Sequence, residues 1–266
     1  MLKENFRKYL IKCGLYSSPD FIIVGAQKAG TSALFSILNQ HSQITGAHRK
    51  EINYFDQDRI YNNDNNYNHY YSFFPLPMNV RSNHLVFEAT PEYLYHPYCA
   101  KRIFKFNPSI KIIAILREPA TRAYSAWRMY HNFKNHPEYS HLYEPRSFRQ
   151  VIDEETKQIE QANWYNNPIG YVKRGIYSEQ LKAYIDQFPN KQLFIIEYKH
   201  LIEHYFKILK EIFEFLEINY ESLPNQELNK GKGGETVYSE EIQFLRSFYE
   251  RYNEKLYSLL GRRFEW

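Results

Sequence analysis

Short apolar runs that end in turns or polar clusters alternate with segments of helical periodicity along this chain of 266 residues. Four of the runs predict buried strands, because each is short and is bounded by turn-forming or polar residues. The predicted strands are residues 21–24, 85–88, 111–116 and 192–197. Alternation of strands with helices predicts an α/β fold in which helices flank a central parallel sheet.

The segments between these runs have the spacing of apolar residues that is typical of helices. The predicted helices are residues 32–39, 98–106, 120–133, 178–188, 200–216 and 240–260. One stripe of the fifth helix is apolar and is predicted to face the core; its members are Leu201, Tyr205, Leu209, Ile212, Phe213 and Leu216. Ser239 is the predicted N-cap of the last helix, and Gly261 follows its end.

Three segments depart from this rhythm. Residues 1–19 mix charged and apolar residues and predict a helical extension packed on the domain; an amphipathic helix that touches a membrane is the alternative. Residues 61–74 are rich in asparagine and tyrosine and predict a loop, and residues 131–167 predict an insertion that covers one end of the sheet on the acceptor side. Since no linker or repeat is evident, residues 1–266 are predicted to form one domain.

Composition narrows the class of protein further. Hydrophobic residues make up 43% of the chain, yet no run reaches the roughly 20 apolar residues of a spanning helix, so the pattern predicts a globular protein without a transmembrane segment. The net charge of +4 suits an anionic ligand but does not indicate nucleic acid as a partner. The two cysteines, Cys13 and Cys99, cannot build a disulfide framework, which favours a cytoplasmic location.

The first predicted strand leads into a glycine-containing loop in the sequence FIIVGAQKAGTS, residues 21–32. Gly25 and Gly30 have the spacing of the phosphate-binding loop of ATP and GTP enzymes, but Thr31 stands in place of the usual lysine and Lys28 lies inside the loop. Backbone N–H groups between a strand and a helix form an anion site, which Lys28, Gly30, Thr31 and Ser32 would surround. A tight turn without a ligand is the alternative.

Two further elements point to phosphate groups. The strand 111–116 ends in Arg117, where an ATP enzyme of this kind needs an aspartate for magnesium, and Ser125 follows eight residues later. A basic segment, NKGKGG at residues 229–234, forms the third element. Together the three elements predict a metal-free site for a nucleotide with phosphates at two ends. The alternative is that Arg117 forms an ion pair, Ser125 is merely exposed and residues 229–234 form a solvated loop.

Taken jointly, these motifs resemble those of the sulfotransferases that use 3′-phosphoadenylyl sulfate (PAPS), especially the heparan-sulfate-type and bacterial carbohydrate branch. GAQKAGTS resembles the family's loop for the 5′-phosphosulfate, and LREPATRAYSAW resembles its motif for the 3′-phosphate. The segment that begins RGIYSEQ resembles the one that supplies a tyrosine to the donor, here Tyr177, and NKGKGG resembles the closing loop. With the ending LLGRRFEW, the likeness covers residues 20–266.

The resemblance implies PAPS as sulfuryl donor, 3′-phosphoadenosine 5′-phosphate (PAP) as product and no metal. The residues implied to bind the donor are Lys28, Ala29, Gly30, Thr31, Ser32, Arg117, Ser125, Tyr177, Lys230, Gly231 and Lys232. The expected reaction moves the sulfuryl group to an acceptor hydroxyl on a carbohydrate or glycolipid, with a polyketide alcohol and a tyrosine as the open alternatives. A nucleotide kinase and a non-catalytic nucleotide-binding protein of the same fold are the rival hypotheses.

The resemblance also implies a glutamate base, with Lys28 stabilising charge on the bridging oxygen. Glu51, in the sequence HRKEINYFD, matches the glutamate of the family's motif and is preferred to Glu88, which ends a strand; both rank ahead of the histidines at positions 41 and 48. The same motif implies that the acceptor is bound by Lys50, Asn53 and Asp56.

Two positions depart from the family's pattern. Heparan-type enzymes have a lysine directly after the second glutamate, where this chain has Ala89, and an arginine in the closing loop, where it has Lys232. One positive charge near the acceptor is therefore missing from its expected place, which weakens the argument for a highly sulfated acceptor.

Overall fold

A computed structural model of the chain describes residues 2–81, 83–160, 170–225 and 239–266. Within these residues five parallel strands form one sheet in the order β2-β3-β1-β4-β5. The strands are β1 Phe21–Gly25, β2 Ile44–Gly46, β3 Leu85–Ala89, β4 Lys111–Leu116 and β5 Leu193–Glu197. All five residues of β1 are buried, as expected for a parallel strand covered on both faces. The predicted α/β fold with a central parallel sheet is confirmed.

Helices lie before, between and after these strands. They are α1 Leu2–Lys12, α2 Thr31–Leu38, α3 Asp58–Asn63, α4 Asn68–Tyr71, α5 Glu92–Tyr95, α6 Cys99–Phe106, α7 Pro119–His131, α8 Phe148–Glu160, α9 Tyr177–Ile185, α10 Tyr198–Glu203, α11 Tyr205–Leu216 and α12 Ser239–Leu260. Each of the six predicted helical segments is helical over most of its length. The segment 200–216 is divided between α10 and α11 at His204, and the apolar stripe predicted within it is buried throughout.

The prediction of a loop at residues 61–74 is wrong. The end of α3 and the whole of α4 lie there, because Tyr70 and Phe74 belong to the core. The ring of Tyr70 lies 4.8 Å from that of Phe55 and 5.1 Å from that of Phe106, centroid to centroid. Aromatic packing therefore orders a segment whose composition indicates a loop.

Helix α8 lies inside the predicted insertion, 131–167, whose residues 161–167 are outside the described ranges. Phe148, Val151 and Ile152 are fully buried in a second apolar core, which they share with residues of α7 and α12. Part of this segment is thus a structural support for α7.

The N-terminal helix α1 packs beside α4. Ile11 is buried, the Arg7 guanidinium donates to the carbonyl oxygen of Phe74, and the rings of Tyr16 and Tyr71 stack with their centroids 3.7 Å apart. These contacts hold α1 and the residues after it against α4.

The strand order creates a crevice at the carboxyl ends of β1 and β4. From β1 the chain proceeds through α2 to β2 on one side of the sheet, whereas from β4 it proceeds to β5 on the other side. The two strands are directly paired, with Phe21 opposite Lys111 and Ile23 opposite Ile113. Ligands of open α/β sheets bind at such a switch point, because the departing chains leave room between them.

Candidate active site

The loop after β1 is shaped by two glycines. A Cβ at Gly25 would lie 2.5 Å from the Cβ of Leu94, so no side chain fits there. Gly30 has a φ of 88° in the left-handed region, and a Cβ there would lie 2.7 Å from the ring of Tyr198. Because no side chain caps α2 at Gly30, the N–H groups of its first turn are available to an anion.

A cavity of about 790 Å³ lies at this edge of the sheet. It brings together eight of the residues singled out from the sequence, namely Lys28, Gly30, Thr31, Ser32, Glu51, Asn53, Arg117 and Ser125. Further lining residues were missed, among them Gln27, Glu92, Arg128, Met129, Tyr139 and Tyr198. Two of these had a positional signal, since Tyr198 directly follows a parallel strand and Arg128 lies one helical turn after Ser125.

Lys28 is held in the cavity without a carboxylate partner within hydrogen-bond distance among the described residues. Its Nζ donates to the Sδ of Met129 at 3.4 Å, which is a weak acceptor. Burial lowers the pKa of Lys28, and the positive charges of Arg117 and Arg128 lower it further, while Glu51 opposes them. Bound anionic groups would relieve this repulsion among the three cations.

Arg117 connects the end of β4 with both neighbouring elements. Its Nε donates to the Thr121 hydroxyl at 3.3 Å and its Nη1 donates to the Lys28 carbonyl oxygen at 3.4 Å. Its guanidinium carbon lies 5.3 Å from the centroid of the Tyr198 ring. Ser125 lies one turn beyond Thr121 on α7 and lines the same cavity as Arg117. That the arginine and the serine bind one oxyanion stays a prediction.

The other residues predicted to bind the donor either do not line the cavity or lie outside the described residues. Tyr177 is buried, its hydroxyl donates to the Arg117 carbonyl oxygen at 2.8 Å, and burial raises its pKa to about 12. Ala29 is fully buried below the loop. Lys230, Gly231 and Lys232 lie outside the described residues, so their assignment stays a prediction.

Glu51 stands at the cavity wall. Its backbone has a φ of 58°, and its N–H donates to the Ala89 carbonyl oxygen at 3.0 Å, which fixes the motif to the end of β3. The carboxylate forms an ion pair with Lys50, and 53% of the side chain is exposed. Glu51 therefore faces the same space as Lys28 and remains accessible to an acceptor.

Of the three residues predicted to bind the acceptor, only Asn53 lines the cavity; Lys50 and Asp56 do not. Asn53 has a φ of 55° and lines the cavity, and its buried Oδ1 has no hydrogen-bond partner within the described structure. Lys50 contacts the site through Glu51 and does not itself line the cavity. Asp56 does not line it either; burial, followed by the charge of Glu92, raises the pKa of Asp56 to about 7. Acceptor binding by Lys50 and Asp56 stays a prediction without direct geometric support.

The second candidate base, Glu88, is not part of the cavity wall. Its side chain is fully buried, with Oε1 accepting from the Tyr70 hydroxyl and Oε2 accepting from the Thr90 hydroxyl, both at 2.6 Å. Burial raises the pKa of Glu88 to about 7, although these hydroxyl contacts oppose the rise. The geometry is that of a carboxyl group that joins β3 to α4.

The two histidines also lie apart from the cavity wall. His41 is buried, with Nε2 2.9 Å from the Asn219 carbonyl oxygen and Nδ1 accepting from the Gln43 N–H at 3.0 Å. Burial lowers the pKa of His48. Of the four candidates for the base, Glu51 is the one that lines the cavity.

The buried carboxyl of Glu88 predicts a pH dependence of stability. Since its pKa is raised from 4.5 to about 7, the folded state binds the proton more tightly than the unfolded state. The stabilisation by the bound proton is fully present below pH 4.5 and is lost as the pH rises through about 7; it amounts to on the order of 3 kcal/mol. Urea unfolding of wild type and Glu88→Gln at pH 5 and pH 8 measures this.

We expect the free energy of unfolding of the wild type, relative to that of Glu88→Gln, to be lower at pH 8 than at pH 5. A constant difference would show that Glu88 keeps an ordinary pKa in the folded protein.

Among the residues that the structure describes, no group of three or more His, Cys, Asp or Glu side chains is arranged to hold a metal ion. None of the helices in this part of the chain has both the length and the apolar character to cross a membrane. Cys13 is an exposed thiol and Cys99 a buried one. The cytoplasmic location stays a prediction.

The fold and the site define an α/β protein with a cavity lined by cationic side chains at the switch point of a parallel sheet. More specifically, the chain belongs to the sulfotransferase domain family, whose model matches residues 18–251. It is a sulfotransferase, as the sequence motifs predict, and the kinase alternative is not favoured.

Known relatives agree with this membership. The chain is 26% identical over 270 residues to heparan sulfate glucosamine 3-O-sulfotransferase 5 of Homo sapiens, with 93% of this chain and 74% of that protein covered. It is 29% identical over 276 residues to bifunctional heparan sulfate N-deacetylase/N-sulfotransferase 4 of Mus musculus, covering 92% of this chain but 30% of that protein. Among solved structures, a sulfotransferase from Alicyclobacillus acidocaldarius matches with a TM-score of 0.75 and 25% identity, covering 93% of this chain and 98% of that one.

Proposed function

We propose that this sulfotransferase moves a sulfuryl group from PAPS to a hydroxyl of a carbohydrate or glycolipid, with Glu51 as the base. The observation that carries the proposal is the single cavity that joins the Lys28 loop, the Arg117–Ser125 pair and Glu51. A donor with phosphates at both ends, an acceptor and a proton acceptor would thereby meet in one space.

The residues present fit this donor. Two positions for anionic groups are supported: one at the uncapped start of α2 beside Lys28, and one between Arg117 and Ser125. The hydrogen bond from Arg117 Nη1 to the Lys28 carbonyl oxygen joins the end of β4 to the loop after β1, and both elements line the one cavity. When bound, PAPS supplies an activated sulfuryl group; the protein supplies positive charge and orientation.

Glu51 is suited to accept the proton of the acceptor hydroxyl. Its side chain is half exposed at the cavity wall, where an acceptor hydroxyl can reach the carboxylate oxygens. The Lys50 ammonium forms an ion pair with the same carboxylate and holds it in place. The charge of Glu51 raises the pKa of Lys28, and both residues line the cavity; this supports a base and a cation for the leaving oxygen that act on one sulfuryl group.

A carbohydrate is the acceptor class that the relatives support, because two of them are named for heparan sulfate. The buried, unpartnered Oδ1 of Asn53 is consistent with this class, since an acceptor hydroxyl could donate to it. Incubation of cell extracts with sulfur-labelled PAPS and the purified protein, followed by mass spectrometry of the labelled product, tests the acceptor class. A labelled peptide tyrosine in place of a labelled sugar would contradict it.

The arrangement predicts selectivity for a nucleotide with a 3′-phosphate. Because Arg117 and Ser125 provide a second anion position, PAP should bind at least about tenfold more tightly than AMP or ADP, the scale of a lost hydrogen bond to a charged group. Isothermal titration calorimetry in buffer containing EDTA measures the three affinities.

Equal affinities for PAP, AMP and ADP would remove the support for PAPS as donor. Magnesium-dependent turnover of ATP would instead revive the kinase hypothesis.

A further inference from the structure

We propose that Glu92 selects the acceptor: together with Asn53 it binds hydroxyl groups of an uncharged sugar beside Glu51, and it rejects acceptors that carry a sulfate or carboxylate there. Glu92 lines the cavity, yet the sequence motifs give it no role. The proposal rests on the proposed function, because it names the acceptor class of the same site. It makes Glu92 a residue that determines specificity and leaves Glu51 as the base.

The strand order separates the charged side chains of the cavity wall into two halves. β1 lies between β3 and β4, so the segments at the end of β3 and those at the end of β4 lie on opposite sides of the loop after β1. The described lining residues that carry a guanidinium, Arg117 and Arg128, come from the end of β4 and from α7. Those that carry a carboxylate, Glu51 and Glu92, come from segments attached to the end of β3. The donor's phosphates match the cationic half, which leaves the β3 half for the acceptor.

Two hydrogen bonds hold the segment of Glu51 and Asn53 against the segment of Glu92. The Glu51 N–H donates to the carbonyl oxygen of the last residue of β3 at 3.0 Å. The Tyr54 N–H donates to the Tyr93 hydroxyl, also at 3.0 Å. Since Tyr54 directly follows Asn53 and Tyr93 directly follows Glu92, the three lining residues belong to one continuous part of the cavity wall.

An ion pair with Arg174 fixes the carboxylate of Glu92. The Nη2 of Arg174 donates to Oε1 of Glu92 at 2.8 Å, and 5% of the arginine side chain is exposed, compared with 29% of the glutamate side chain. The guanidinium carbon lies 4.2 Å from the ring centroid of Tyr95, on the same short helix as Glu92. A carboxylate has about four lone-pair sites, so its oxygens can accept from sugar hydroxyls as well as from the arginine.

The β3 half of the cavity thus offers oxygens that accept hydrogen bonds. Glu51 is paired with Lys50 and Glu92 with Arg174, and neither of these two cations lines the cavity. Asn53 adds a buried Oδ1 that has no hydrogen-bond partner within the described residues. Sugar hydroxyls can donate to all three side chains. A sulfate or carboxylate of the acceptor would instead lie against carboxylates, which is unfavourable for like charges.

Matched sugars test the acceptor class. p-Nitrophenyl glucoside and p-nitrophenyl glucuronide differ only in the exocyclic group, which is hydroxymethyl in the first and a carboxylate in the second. With sulfur-labelled PAPS, we expect kcat/KM of the wild type to be about tenfold or more higher for the glucoside, because a like charge beside Glu92 is unfavourable. The neutral p-nitrophenyl galactoside and mannoside extend the comparison, and a heparan sulfate oligosaccharide is the polyanionic probe.

Glu92→Gln removes the charge and keeps the shape of the side chain. We expect the preference for the glucoside over the glucuronide to fall about tenfold, mainly through a lower KM for the glucuronide, while kcat for the glucoside changes less than about threefold. Glu254→Gln is the matched control, since Glu254 is an exposed glutamate of α12 that also pairs with an arginine, Arg263. If Glu92→Gln does not fold because Arg174 is left buried without its counter-charge, Glu92→Gln combined with Arg174→Met takes its place.

Three results overturn the proposal. The first is equal or greater turnover of the glucuronide or the heparan sulfate oligosaccharide by the wild type, and the second is an unchanged preference in Glu92→Gln. The third is a wild type that binds PAPS but transfers label to none of the neutral glycosides. All three leave PAPS as the donor. A wild type that binds neither PAPS nor PAP would instead refute the proposed function.

Discussion

Glu51→Gln is expected to lower kcat by about 10²–10⁴ while the affinity for PAP stays nearly unchanged, because loss of a positioned base has this cost. The amide keeps the shape of the side chain and removes the proton acceptor. Glu51 lines the cavity, but its carboxylate contacts Lys50 rather than the residues that surround the phosphate positions. Single-turnover kinetics and PAP calorimetry on the same preparation separate the two quantities.

Glu88→Gln is the informative comparison for that experiment. Glu88 is buried behind the cavity wall, where the hydroxyls of Tyr70 and Thr90 occupy its oxygens, so the variant should keep most of its turnover when folded. Normal turnover of Glu51→Gln with an inactive, folded Glu88→Gln would place the base at the end of β3. If both variants bind PAP and neither turns over, the two carboxylates act as a unit.

Arg117→Ala is expected to weaken PAP binding by about 2–3 kcal/mol, or roughly 30- to 150-fold. The substitution removes the charge assigned to the 3′-phosphate and also the hydrogen bonds to the Thr121 hydroxyl and the Lys28 carbonyl oxygen. The loss of PAP affinity should therefore exceed the loss caused by removing an arginine that lies on the surface and makes no such contacts. Calorimetry with PAP and with AMP measures it.

The affinity for AMP provides the internal control, since AMP lacks the 3′-phosphate and should lose less. Arg149→Ala controls for the general loss of one positive charge. A similar weakening of PAP and AMP would show that Arg117 acts mainly by supporting the Lys28 loop.

The sequence predicts those parts of the fold in which local pattern and burial agree. The strand 111–116 has the same limits in the sequence and in the structure, because the five consecutive buried apolar positions that follow Lys111 are typical of a parallel strand. In contrast, β2 contains three residues, and Gly46 is one of them, so no periodicity could mark it. Tyr70 belongs to the core through contacts with distant rings, which composition does not reveal.

The same distinction applies to the site. Glycine spacing identifies the loop after β1, and the position of Arg117 at a strand end identifies the second phosphate position. The sequence did not reveal that Glu88 is enclosed by hydroxyl groups, because Tyr70 lies 18 residues away and reaches it only through α4. Nor did it distinguish Arg128 from an exposed helical arginine, since that depends on which face of α7 meets the cavity.

The ring of Tyr198 links three parts of the chain that are far apart in sequence. It leaves no room for a side chain at Gly30, and it lies against the guanidinium of Arg117. A change at any one of these positions alters the energetic cost of changes at the other two, so their effects are not additive. In evolutionary terms the three positions are epistatic: a smaller ring at 198 removes the steric part of the cost of a side chain at 30, although the strain of its positive φ remains, and the same change removes a support of Arg117.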